Sequence, residues 1–129
     1  MTIADPLYAD WLHQQIRVKP DQLAVHDLSA ERRFTWQQLN DRVDALAHRL
    51  IPEGIAQGDR IAYLGLNSSD VIEIFFAATR IGAIYVPLNF RLTAPELTYI
   101  LGDCAPSAVF YDQAFQPVIE AVSYTHLRA

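Results

Sequence analysis

Four histidines and one cysteine are the first residues here that could hold a metal or serve as base and nucleophile: His13, His26, His48, His126 and Cys104. A zinc site draws its ligands from pairs a few residues apart. No two of these five fall within that spacing, so they read as ordinary histidines and a small packing thiol. No Gly-x-Ser-x-Gly elbow presents a serine nucleophile. No glycine-rich loop ending in lysine cradles a phosphate. Lys19 is the single lysine, and the other nine basic residues are arginines. Two features remain. Gly65 to Ser69 forms a strand-to-helix loop that could receive an anion at a helix N-terminus. It lacks the further glycines of a dinucleotide fingerprint, so capping is the simpler reading. Arg91 follows a strand end, where ligand sites of α/β proteins gather. The alternative is a surface arginine on the approach to a helix.

The elements that must position these residues are well marked. Residues 6–18 carry Leu7, Trp11, Leu12 and Ile16 at helical spacing, and Pro20 ends that run. Residues 23–26 and 33–35 flank a polar segment and read as a short β-hairpin. Thr35 and Gln38 then form a capping box, with Phe34 and Leu39 as its hydrophobic staple. Leu39, Val43, Leu46, Ala47 and Leu50 line one helical face, and Pro52 and Gly54 stop it. Residues 60–64 read as a strand and 69–80 as a helix capped by Ser68 or Ser69. That helix is apolar almost all round, which predicts burial on several sides. Gly82 is placed to terminate it. Residues 83–88 form a strand with Pro87 near its end. Thr93 and Glu96 repeat the capping box, Leu92 and Leu97 the staple, and Gly102 is expected to close the helix. A strand over 107–111 and a last helix over 113–121 follow. Alternating helices and apolar strands imply an α/β fold with a mainly parallel sheet, helices on both faces, and a hairpin in front.

Composition narrows the function classes. The 129 residues are 51% hydrophobic and 19% charged, which is the balance of a folded domain. The net charge of −5 argues against nucleic-acid binding, where basic residues must neutralise phosphates. Residues 1–10 have acidic Asp5 and Asp10 and no basic n-region, unlike a signal peptide. The most apolar stretch, residues 71–78, is too short to span a bilayer. A cytoplasmic protein is the expectation.

Several short segments go further than pattern. Phe34-Thr35-Trp36-Gln37-Gln38-Leu39 resembles the first core motif of the adenylate-forming superfamily, with Trp36 where tyrosine is usual. Arg80-Ile81-Gly82-Ala83-Ile84-Tyr85-Val86-Pro87-Leu88-Asn89 resembles the second. Ala94 to Asp103 is similar to the family helix that follows. Gly58-Asp59-Arg60-Ile61-Ala62 and Leu66-Asn67-Ser68 resemble the family's strand start and the turn after it. The matches are collinear from residue 5 to about 120. Asn89-Phe90-Arg91-Leu92 resembles the Asn-x-Arg-Leu segment of acyl-CoA synthetases more than the Asp-Pro of peptide-synthetase adenylation domains.

This resemblance implies an incomplete part of a larger N-terminal domain. It implies a carboxylic acid and ATP with Mg joined as an acyl-adenylate, then a thiol, usually that of CoA, displacing AMP. The family's phosphate loop, ribose-binding acid, Mg-binding glutamate and lid lysine have no counterpart here. No catalytic residue or metal ligand is therefore assigned, and the chain as it stands is expected to be inactive. Arg91 is the one functional residue implied, as a contact to the CoA nucleotide phosphate. The domain assignment is 1–122 to the adenylation domain and 123–129 to a non-native tail. A non-catalytic α/β interaction module is the alternative from another class.

Overall fold

The computed structural model describes residues 11–123. Its element order is α1 (Trp11–Val18), β1 (Leu23–Asp27), β2 (Arg32–Thr35), α2 (Trp36–Leu50), β3 (Arg60–Leu64), α3 (Ser69–Arg80), β4 (Ile84–Leu88), α4 (Ala94–Cys104), β5 (Ala108–Tyr111), a 3-10 turn (Gln113–Phe115) and α5 (Gln116–Ser123). The expected class holds: an α/β chain with a parallel sheet flanked by helices and an antiparallel hairpin before it. Contacts divide it into two units, Met1–Gly58 with Asn67–Ala83, and Asp59–Leu66 with Ile84–Ala129.

In the first unit the hairpin pairs β1 with β2, with an irregularity between Leu23 and Val25. Both halves of the capping box at Thr35 are present, so α2 starts where the sequence predicts. Leu39, Val43, Ala47 and Leu50 are its buried face. Phe34 has a second role beside the expected staple: the guanidinium of Arg42 lies 4.7 Å over its ring. Of the stripe expected on the first helix, Leu12 is fully buried, Trp11 is exposed, and Leu7 lies outside the described residues. On α3 the buried set includes Glu73 and Arg80, while Phe75 is exposed. Phe75 is the one exposed residue of this helix, in line with the expected burial on several sides, and its buried charges are paired. Gly82, at φ 76°, ends α3 as expected, in the left-handed region a side chain disfavours.

In the second unit β3 is the central strand, parallel to β4 on one side and to β5 on the other. Ala62, Leu64 and Leu88 on one sheet face join Leu97 and Leu101 of α4 and Ile119 and Val122 of α5 in one core. The second capping box, Thr93 with Glu96, is also complete. Gly102 does not close α4. The helix runs on to Cys104 and stops at Ala105, which takes φ 45°. Pro106 explains this, because a residue before proline is steered away from the right-handed helix. Arg60 completes the stop by donating from Nε to the Cys104 carbonyl at 2.7 Å and from Nη2 to that of Ala105 at 3.2 Å.

Candidate functional site

The strand register puts the carboxyl ends of the sheet level with one another. Leu64, the last residue of β3, pairs with Leu88 at the end of β4 and with Tyr111 at the end of β5. Open α/β sheets bind ligands outside this edge. The chain turns sharply there. The Arg91 amide donates to Asn89 Oδ1 at 2.9 Å, and the Leu92 amide donates to the Asn89 carbonyl at 3.1 Å. Asparagine suits this position because its short side chain imitates a backbone acceptor. The turn delivers the chain to Thr93, the cap of α4, and leaves Asn89, Phe90 and Arg91 exposed.

Arg91 has no carboxylate partner among the described residues. Its guanidinium carbon lies 5.6 Å from the centroid of the Phe90 ring. The Phe90 ring in turn lies 5.9 Å from that of Phe115, tilted by 51°. Phe115 belongs to the 3-10 turn after β5, and Asp112 starts that turn by accepting from the Ala114 amide. The Asp112 amide donates to the Leu64 carbonyl at 2.9 Å. Gly65 lies against this corner. A Cβ there would meet Tyr63 Oη at 2.5 Å and Asp112 Cβ at 3.1 Å, so any side chain at this position would push on Tyr63. The sequence placed Arg91 at this edge and gave no sign of the contact between Phe90 and Phe115. Their only sequence signal was an aromatic residue immediately before the arginine.

The other candidates resolve differently. The N-terminus of α3 already holds an anion, and it is the chain's own Asp27. Asp27 Oδ2 accepts from the Ser69 amide at 2.9 Å and from the Ser69 hydroxyl at 3.1 Å. Arg32 reaches Asp27 at 3.4 Å and Asp70 at 3.3 Å. The backbone hydrogen bonds from Ser69 and Ala30 hold the Asp27 carboxyl down at about 2. Ser68 caps the helix through the Asp70 amide. The Gly65–Ser69 loop is thus a capping device. Cys104 is half-buried against the second core, and burial pushes its thiol up, away from the reactive thiolate. His13, His26 and His48 sit on three different elements, with His48 Nδ1 2.8 Å from the Asp44 carbonyl oxygen. His126 lies outside the described residues. Among the described residues no three or more His, Cys, Asp or Glu side chains form a group that could hold a metal. No described helix is long and apolar enough to cross a membrane.

A cleft of about 400 Å³ lies within the first unit, walled by Trp11, Trp36, Ile72 and Phe76 among others. None of its lining residues is charged, and its polar groups are those of Gln14, Gln15 and the two tryptophans.

Residues 12–127 match the AMP-binding enzyme family. A fatty acid–[acyl-carrier-protein] ligase, ScoC of Streptomyces coeruleorubidus, is 43% identical over 69% of this chain and 17% of its own length. The long-chain-fatty-acid–CoA ligase FadD13 of Mycobacterium tuberculosis is 39% identical over 86% of this chain and 22% of its own. The solved N-terminal domain of FACL13 from Mycobacterium tuberculosis superposes with a TM-score of 0.82 at 39% identity, covering 85% of this chain and 28% of that one. The chain therefore spans about a fifth of the length of the curated relatives it matches. With a match over nearly its whole length, this chain belongs to the AMP-binding enzyme family, and it corresponds to an N-terminal part of an acyl-CoA ligase-type member.

Proposed function

We propose that this chain is the front portion of an ATP-dependent carboxylate–CoA ligase. In that reaction a carboxylate oxygen attacks the α-phosphorus of ATP and pyrophosphate leaves. A thiol then adds to the acyl carbonyl, loses its proton, and AMP leaves as the thioester forms. The observation that carries the reading is the collinear family match, joined to an exposed arginine at the carboxyl edge of the sheet. The described residues do not fit ATP with Mg. They include no phosphate loop and no carboxylate cluster, and the single lysine, Lys19, lies just beyond α1. No step of adenylate formation is assigned to them.

For CoA, Arg91 does fit. A planar guanidinium at the strand ends gives charge-assisted hydrogen bonds to a nucleotide phosphate, and no described carboxylate competes for it. A carrier-protein thiol is the second acceptor to weigh, because ScoC is named as such a ligase. We further propose a cytoplasmic enzyme, with residues 1–122 in the adenylation domain and 123–129 as a non-native tail.

The test is carboxylate-dependent ATP–pyrophosphate exchange. The full-length protein containing this chain should show it and should form a thioester when CoA is added. The isolated 129 residues should show none. Exchange above background from the pure isolated chain would overturn the division of labour. A full-length protein without exchange on any fatty or aromatic acid would favour a non-catalytic module.

A further inference from the structure

We propose that Phe90, braced by Phe115, is a positioning residue that holds the Arg91 guanidinium at the carboxyl edge of the sheet. The inference rests on Arg91 as the CoA phosphate contact. An exposed arginine samples many rotamers, and a phosphate contact needs one of them. Two other arginines of the chain are fixed by anions: Arg32 by Asp27 and Asp70, and Arg42 by Glu73. An anion at Arg91 would cancel the charge that a phosphate must meet. An aromatic face avoids this, because the ring quadrupole attracts the cation without neutralising it.

The geometry supplies this arrangement. The Arg91 backbone is pinned by Asn89 Oδ1, and its guanidinium stands 5.6 Å from the Phe90 ring. Phe90 is 39% exposed, so burial alone does not account for a large aromatic residue there. Its ring is set by the tilted contact with Phe115, which packs against the second core. Two strand ends, of β4 and β5, are thereby tied through one ring pair.

The experiment uses the full-length enzyme with CoA as the varied substrate, alongside ATP–pyrophosphate exchange. Phe90→Leu should raise KM for CoA about fivefold, with kcat and exchange within about twofold. Phe90→Tyr, which keeps the ring, should restore the wild-type KM. In an Arg91→Ala background, Phe90→Leu should add nothing further, because the two residues act through one contact. Phe115→Leu should show the same pattern in milder form, and it serves as the second variant if Phe90→Leu folds poorly. An equal rise in KM with and without Arg91 would overturn the proposal and make Phe90 a packing residue. An unchanged KM in Phe90→Leu, with KM raised in Arg91→Ala, would also overturn it while leaving the Arg91 contact standing. An unchanged KM in Arg91→Ala would remove the contact itself, and the proposal with it.

Discussion

Two regions of this chain use arginine in opposite ways. In the hairpin and the helices packed on it, Arg80 is 3% exposed and bonded to the side chain and carbonyl of Asn40, with Asp44 at 3.8 Å. Arg42 meets Glu73, and Arg32 bridges Asp27 and Asp70. Arg80 is consumed by the fold, since a buried charge without a partner is costly, while Arg42 and Arg32 are partly exposed and each meets an acid. At the carboxyl edge of the sheet, Arg91 is exposed and supported by a ring and a backbone turn. The contrast separates structural cations from a cation left available, and that criterion is independent of any motif.

The largest effect should fall on the buried set. Arg80→Met keeps much of the volume and strands the Asn40 carbonyl and side-chain oxygens, so it should cost on the order of 1–3 kcal/mol of unfolding free energy. Urea unfolding of the full-length protein measures it. A loss no larger than that of Arg91→Ala would contradict the structural role of Arg80. Gly65→Ala should be next. The added Cβ meets buried Tyr63 and the Asp112 side chain, and overpacking of this kind costs about 1–3 kcal/mol. Thermal melting with an unchanged midpoint would show that the corner yields.

A third expectation concerns acid. Asp27 sits at about 2 in the fold against an ordinary 3.8. Because its folded pKa is the lower one, its contribution to stability is complete above about 3.8 and is lost as pH falls through about 2. Asp27→Asn should lower the melting temperature at neutral pH and flatten its decline between pH 4 and 2. An identical slope in the variant would assign the acid sensitivity to other carboxylates. The smallest effect is the converse of the first: Arg91→Ala should change stability by no more than about 0.5 kcal/mol.

How much of this was legible in the sequence follows from the range of each interaction. Both capping boxes and the Gly82 stop were readable, because their donors and acceptors lie within four residues of one another. The parallel order of β3, β4 and β5 follows from strand–helix alternation. Gly102 misled because glycine is the usual helix stop, while Pro106 decides the end here. Glu73 breaks the apolar run over 71–78 and Arg80 follows it, with no nearby residue to mark a partner for either. Their partners are 31 and 40 residues away, and no local pattern reveals such pairs. The Asp27–Ser69 cap, 42 residues apart, was hidden for the same reason. The place of Arg91 just beyond a strand end was legible. The contact between the Phe90 and Phe115 rings was not, because Phe115 arrives only through the topology.

The most direct test of the central claim is the Arg91→Ala variant of the full-length enzyme, assayed for both half-reactions. The account predicts ATP–pyrophosphate exchange near wild type and a KM for CoA raised by a contact worth on the order of 1.5–3 kcal/mol. An unchanged KM for CoA, or a loss of exchange equal to the loss of thioester formation, would contradict it.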